Sequence, residues 1–188
     1  MHKNIKILLA ASTLIHSGVN LLAPVYAIFL KEINGTLLET GLAVGLYTVL
    51  RGIFYIKFAN IKPNVISHRT MMVTGYVMMG IVYCFYPAVS ELYQVFILQA
   101  CLSLSESVIT PSWSASIAEA LEKGEERQTY SNFYGYRSLF EGAAAIIGGY
   151  IAMELGFNVI FFAMAGCALA SAAVVCMLED IEPQKSLT

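Results

Sequence analysis

Several ionisable and strongly polar side chains interrupt long apolar stretches of this sequence. They are His16, Asn20, Arg51, Glu106, Arg137 and Glu141. Carboxylates accept protons and cations, guanidinium groups bind anions, and an imidazole changes charge near neutral pH. In a membrane such groups usually mark the path of a proton, an ion or a small solute, because an unpaired charge at the bilayer centre costs ~2.5–3.5 kcal/mol.

The polar residues recur at helical spacing, which would place them on one face of each helix. Between residues 92 and 118 the steps are four, three, four and three, and shorter sets with steps of three or four occur in three other stretches. The four sets are Gln99, Ser103, Glu106, Thr110 and Trp113; Tyr134, Arg137 and Glu141; Thr13, His16 and Asn20; and Tyr47, Arg51 and Tyr55. We therefore expect the four faces to converge on one another or on water.

Two interpretations of these residues remain open. The first is a water-accessible pathway for a substrate or a proton. Its candidate residues are His16, Asn20, Arg51, Gln99, Ser103, Glu106, Tyr134, Arg137 and Glu141. The second is purely structural pairing, in which Arg51 reaches the inner membrane surface and Arg137 neutralises Glu141 one turn away.

The elements that carry these faces are predicted to be transmembrane helices. Hydrophobic residues make up 57% of the chain and charged residues 13%, against ~25% charged in soluble proteins. The apolar residues form blocks of about twenty, the length at which a helix crosses a bilayer. Six spans are predicted within one all-α domain of residues 1–188, at residues 7–30, 38–58, 70–89, 92–118, 131–152 and 157–178. The third and sixth of these spans have no comparable polar face and are expected on the lipid side.

The distribution of basic residues predicts which loops are cytoplasmic. If the N-terminus is inside, eight of the eleven Lys and Arg residues lie in the inner segments, and Lys31 is the only one in an outer segment. Such an excess follows the positive-inside rule. Both termini are therefore expected in the cytoplasm, in a multi-pass protein of the cell membrane whose first apolar stretch is retained and not cleaved.

Composition and motif content argue against several other classes of protein. A net charge of −2 gives no support to binding of nucleic acid. The four cysteines have neither metal-ligand nor redox spacing, so no metal and no cofactor are predicted. An intramembrane protease would need a Gly-x-Ser-Gly stretch or catalytically spaced His or Asp residues within the spans, and the sequence has neither, so an enzyme is not expected.

A series of short motifs runs from the fourth predicted span to the sixth. These are Thr110-Pro111-Ser112 near the inner end of the fourth, a charged loop ending in Arg127, Gly148-Gly149 in the fifth, and Gly156-Phe157 opening the sixth. Together they resemble the fourth to sixth helices of the major facilitator superfamily. The resemblance implies that the chain is the N-terminal six-helix half of that fold.

The sequence departs from the family pattern between the second and third spans. The family signature there carries an Asp, a Gly and a basic pair, and the nearest match is Asn64, Ser67, His68 and Arg69. The resemblance thus implies a gating loop at Asn64, His68 and Arg69 with a weakened charge lock. Gln99 stands where several branches have an Arg linked to proton coupling, and Ala144-Ala145 stands where antiporters have Gly-Pro. Neither change supports proton-coupled drug export.

The resemblance also implies a partner and a function. Family members usually have twelve spans in two similar halves that hold the substrate between them, and the halves are parallel repeats. Two copies of this chain as a homodimer, or a second transporter half, would rebuild that arrangement, with helices one and four at the cavity and two and five at the seam. The expected function is secondary transport of a small solute by alternating access. The alternative is a non-transporting partner subunit or a degenerate remnant of a transporter.

Overall fold

The computed structural model describes residues 3–59, 66–121 and 124–178, and every regular element in these ranges is helical. The α-helices in the described ranges are α1 Lys3–Leu22, α2 Tyr26–Glu32, α3 Leu37–Phe58, α4 His68–Phe85, α5 Leu92–Ala120, α6 Glu126–Glu154 and α7 Phe157–Val175. A short 3-10 turn at Ala23–Val25 joins α1 to α2, and another at Tyr86–Ala88 follows α4.

Prolines account for both 3-10 turns. Pro24 and Pro87 lack the amide hydrogen that an α-helix needs, and each lies within its turn. The predicted span 7–30 is therefore built from two helices that meet at the first turn. Pro111, by contrast, lies inside α5, and the helix continues past it to Ala120.

Polar side chains fix where α3 and α4 begin. The hydroxyl of Thr36 accepts the amide of Glu39 at 3.4 Å, and the Glu39 carboxylate accepts the amide of Thr36 at 2.6 Å, which is a capping box. The hydroxyl of Ser67 accepts the amide of Thr70 at 3.2 Å. Because these caps satisfy the first free amides of each helix, they set the residue at which it begins.

The helices form an arc whose two ends are α3 and α6. Along the arc, α3 packs on α5, α5 on α4, α4 on α7, α7 on α1 and α1 on α6. Ala43 is the only buried residue of α3, and α6 also buries few residues, whereas α4 and α7 in the middle of the arc bury much of one face. The arc is therefore open on one side, between α3 and α6.

Glycines permit the closest crossings between helices. A Cβ atom at Gly148 of α6 would lie 2.0 Å from the carbonyl oxygen of Leu21 in α1. A Cβ atom at Gly75 of α4 would lie 2.4 Å from Cγ1 of Ile109 in α5. Lipid is as apolar as the helices, so tight packing at small residues supplies association energy that the hydrophobic effect does not.

Five of the six predicted spans are long and apolar enough to cross a membrane: 3–32, 37–58, 68–88, 92–120 and 157–175. The remaining helix, α6, has 29 residues, which is ~44 Å at 1.5 Å per residue. Its length is sufficient, but it is less apolar than the other five and carries five charged residues: Glu126, Arg127, Arg137, Glu141 and Glu154.

Candidate substrate pathway

A cavity of about 550 Å³ lies on the inner side of the arc. Its wall includes His16 from α1, Arg51 from α3, Glu106 from α5, and Tyr134 and Arg137 from α6. These helices are the ones on which the sequence predicts polar faces. The volume is in the range of small-molecule binding sites, ~300–1,000 Å³.

A second cavity of about 290 Å³ adjoins the first, toward the junction of α1 and α2. The boundary between the two cavities is formed by the four residues that line both: Val19, Tyr47, Met79 and Glu106. Gln99 lies in the wall of the smaller cavity, and its amide donates to the hydroxyl of Tyr26 at 2.6 Å.

Glu106 is bound by two residues of α3. Nη1 of Arg51 donates to Oε1 of Glu106 at 3.0 Å, and the hydroxyl of Tyr47 donates to Oε2. Arg51 also donates to the oxygen of Tyr47 at 3.3 Å, and its guanidinium carbon lies 4.9 Å from the centre of the Tyr47 ring. The three residues form one closed group between α3 and α5 in which both carboxylate oxygens have a donor.

Arg137 and Glu141 form a second pair within α6. Nε of Arg137 donates to Oε1 of Glu141 at 2.8 Å, and the guanidinium carbon lies 5.7 Å from the centre of the Tyr134 ring. Arg137 lies in the wall of the larger cavity, whereas Glu141 is not among the residues that line it. The pairing that the structural interpretation requires is thus present, and the guanidinium group still faces the cavity.

His16 lies in the cavity wall with one ring nitrogen engaged. Its Nδ1 is 2.8 Å from the carbonyl oxygen of Ser12, so Nδ1 carries the hydrogen and Nε2 is left as the acceptor of the neutral ring. Within the described ranges, no group of three or more His, Cys, Asp or Glu side chains could hold a metal ion. His16 is thus part of the cavity wall, and its Nδ1 is held by its own helix.

Two of the predicted pathway residues turn toward their own helix. Asn20 donates from its side-chain amide to the carbonyl oxygen of His16 at 2.9 Å. Ser103 is fully buried and donates to the carbonyl oxygen of Ala100 at 2.7 Å. Neither residue is among those that line the two cavities.

His68 and Arg69, from the predicted gating loop, lie at the start of α4 and contact neighbouring helices. Arg69 donates to the carbonyl oxygen of Cys176 just beyond the end of α7, where a positive charge is favourable to the helix dipole. Nε2 of His68 lies 3.7 Å from Oε1 of Glu119 in α5. Asn64, the third residue of the predicted loop, lies outside the described residues.

The sequence did not predict that residues of α4, among them two tyrosines, line the site. Tyr76 and Met79 of α4 line the larger cavity, and Tyr83 lines the smaller one, although the third predicted span was expected on the lipid side. Tyr47 belongs to a predicted polar face, but no role was assigned to it. The sequence feature that could have indicated this cavity-lining face is the seven-residue spacing of Tyr76 and Tyr83, which puts both on one face of the helix. A tyrosine among apolar residues does not mark that face as polar, because its ring packs like any other core aromatic.

The family assignment follows from the match to known sequences. The sequence profile of the Major Facilitator Superfamily matches residues 8–188. The chain belongs to this superfamily. The resemblance inferred from the short motifs is thereby confirmed, and the match together with the apolar helices identifies a multi-pass membrane protein of a transporter family.

Two relatives are described as transporters of the same type. The uncharacterized MFS-type transporter YitZ of Bacillus subtilis is 23% identical over 144 residues, which cover 77% of this chain and 87% of the relative. The uncharacterized MFS-type transporter MJ1560 of Methanocaldococcus jannaschii is 24% identical over 185 residues, which cover 96% of this chain and 47% of the relative. The chain thus spans most of the first relative and about half of the second.

Proposed function

We propose that this chain is a subunit of a secondary transporter that moves a small solute across the cell membrane by alternating access. The observation that supports this most strongly is the cavity of about 550 Å³ with Arg51, Glu106 and Arg137 in its wall. Charged groups within membrane-spanning helices need a partner or water, and a pathway supplies water. The family match to transporters points to the same activity.

In this proposal α6 also crosses the membrane, as the fifth of six spans, and both termini are cytoplasmic. The charge of Arg137 is directed to the cavity and balanced by Glu141, so the lipid does not meet an unpaired charge. The alternating direction of six spans then places the basic residues Lys57, Arg69 and Arg127 on the side of the N-terminus, in agreement with the positive-inside rule.

A second copy of this chain supplies the other half of the transporter. Glycines with open space around them form one face of α3 and one face of α6, and a Cβ atom at any of them would meet no described atom within 4 Å. They are Gly41, Gly45 and Gly52 on α3, and Gly135, Gly142 and Gly149 on α6. Steps of four and seven keep each set on one face, beside the cavity-lining residues of the same helix. Faces of small residues let membrane helices pack closely.

The position of these faces favours a pair of identical chains. Because α3 and α6 end the arc on either side of its opening, a twofold axis along the membrane normal would bring α3 of each copy to α6 of the other. The aligned residues make up 87% of the Bacillus relative but only 47% of the Methanocaldococcus relative, so the Bacillus relative is less than half as long. This difference supports the view that the family includes chains of about this length.

Cysteine labelling tests the water-filled pathway. The variant Thr110→Cys, made in a chain whose native cysteines are replaced by Ala, places a thiol in the cavity wall. We expect a membrane-impermeant maleimide to react with it from either side of the membrane, because alternating access opens the cavity to each side in turn.

The matched control is Leu169→Cys on α7, an outward-facing residue with 47% exposure in the isolated chain. Lipid should protect it from the same reagent. Protection of Thr110→Cys from both sides would rule out the water-filled pathway, and reaction from one side alone would rule out alternating access.

A further inference from the structure

The wall of the larger cavity offers few free acceptors for a cation. Glu106 is the one carboxylate among the described residues that line it, and both of its oxygens already accept hydrogen bonds, from Arg51 and Tyr47. The carboxylate of Glu141, on the predicted polar face of α6, is outside the lining and binds Arg137. Because Arg51 already balances the charge of Glu106, a cationic solute would meet a neutralised carboxylate, and a cation that replaced Arg51 would leave a guanidinium group without its counter-charge.

The same wall offers free donors for an anion. A guanidinium group has five N–H donors. Arg51 uses Nη1 for Glu106 and Tyr47, and Arg137 uses Nε for Glu141, so in the described part of the chain Nη2 and Nε of Arg51 and both Nη atoms of Arg137 have no hydrogen-bond acceptor. An anion can therefore bind without breaking either ion pair. The planar fork of arginine suits a carboxylate or another oxyanion, which it can bind through two parallel hydrogen bonds.

The remaining lining suits the apolar part of an organic solute. Ile15, Val19, Met79 and Ile109 lie in the wall together with the ring of Trp113. Binding sites for small molecules commonly combine such apolar walls with a few polar groups that fix orientation. The cavity wall thus combines two arginines, which can bind an oxyanion, with apolar side chains.

We propose that the solute bound in this cavity is an organic anion whose charged oxygens bind Arg51 and Arg137. This inference deepens the proposed transport function and rests on it. Arg51 and Arg137 come from α3 and α6, the two ends of the arc. An anion that contacts both arginines would bridge the open side of the arc, against which the second half of the transporter is expected to pack.

The test compares two thiol reagents of similar size and opposite charge. Sulfonatoethyl methanethiosulfonate is an anion and trimethylammonioethyl methanethiosulfonate is a cation, and both are applied to Thr110→Cys in the cysteine-free chain. Each rate is divided by the rate at Ser90→Cys, a residue of the exposed connection between α4 and α5, to remove intrinsic reactivity. We expect the anion to react roughly tenfold faster than the cation after this correction, since charges lining a cleft raise the local concentration of the opposite charge.

A paired substitution identifies the source of the preference. Arg137→Gln combined with Glu141→Gln removes both charges of one ion pair, so the net charge and the number of buried unpaired groups do not change. We expect the anion-to-cation ratio at Thr110→Cys to fall toward one. The control Arg69→Gln, which removes a cation outside the cavity wall, should leave the ratio unchanged.

The outcomes separate this inference from the proposed function. Equal corrected rates, a preference for the cation, or an anion preference that survives in the Arg137→Gln, Glu141→Gln chain would overturn the anion assignment. In each of these cases both reagents still reach the cavity, so the water-filled pathway stands. Failure of both reagents to react would overturn the pathway, and the anion assignment with it.

Discussion

Glu106 is tolerated in an apolar helix because neighbouring side chains balance its charge and donate hydrogen bonds to it. Arg51 and Tyr47 donate to its two oxygens, and the side chains of Arg51 and Glu106 are 29% and 26% exposed. The pair therefore borders the cavity and does not have to give up all contact with water, which reduces the desolvation cost that makes fully buried ion pairs expensive. Since α3 has little buried surface, the pair is also one of the contacts that hold α3 to α5.

A double-mutant cycle tests this pairing at the residue scale. We expect Arg51→Met and Glu106→Gln each to lower the melting temperature of the purified protein, and the double variant to lose less than the sum of the two. The coupling should be about 0.5–3 kcal/mol, or about 2–4 °C per kcal/mol for a chain of this size. The control cycle pairs Arg51→Met with Glu141→Gln, which share no described contact, and should be additive. Additive behaviour of both cycles would contradict the pairing.

The packing of α6 against α1 depends on a glycine at the point where the two helices cross. At the crossing of α1 and α6, Gly148 lies directly against the backbone at Leu21, and no other residue type fits there without moving a helix. This crossing fixes α6, and with it Arg137, relative to His16 in α1. One glycine therefore positions two walls of the cavity.

Stability measurements test this crossing at the element scale. Gly148→Ala should destabilise the protein by about 1–3 kcal/mol, because the added Cβ overlaps backbone atoms, even though alanine favours a helix over glycine by up to ~1 kcal/mol. The matched control is Gly166→Ala in α7, where an added Cβ would meet no described atom within 4 Å. It should be neutral or slightly stabilising. Equal melting temperatures for the two variants would contradict the close crossing.

At the scale of the whole molecule, the open side of the arc is the feature on which the proposed homodimer depends. Large apolar residues remain exposed on both end helices, among them Val49 and Ile56 on α3 and Leu139 and Ile146 on α6. Lipid can cover such residues, but it cannot solvate the charged side chains of the cavity beside them. A second copy against the glycine faces of α3 and α6 would close the cavity laterally.

Counting subunits tests the homodimer. Stepwise photobleaching of a fluorescently labelled chain in lipid vesicles should give mainly two steps per particle. Gly45→Leu and Gly142→Leu should shift the distribution toward single steps, since each fills a face on which close packing depends. The control Gly166→Leu adds the same side chain in the middle of the arc and should leave two steps. Single steps in the unaltered chain would overturn the homodimer and point to a different partner chain.

The sequence predicted polar faces on four helices, and the role of their residues in a pathway stays a prediction. His16, Arg51, Glu106, Tyr134 and Arg137 lie together in one cavity wall, as the convergence of the polar faces indicates. Helical periodicity identifies which residues share a face, but a face covers a wide angle, and packing decides which part of it meets a cavity. Ser103 shares its predicted face with Glu106 and is nevertheless fully buried.

The sequence by itself determined the helical class, the membrane setting, the family and the residues that carry charge. Each of these depends on local composition and spacing, which a single chain displays directly. Only the tertiary structure decided that Glu106 binds Arg51 and Tyr47 of α3 and that α4 forms part of the cavity. These contacts depend on the rotation and crossing of helices that are distant in sequence, and close approaches such as the one at Gly148 set that geometry.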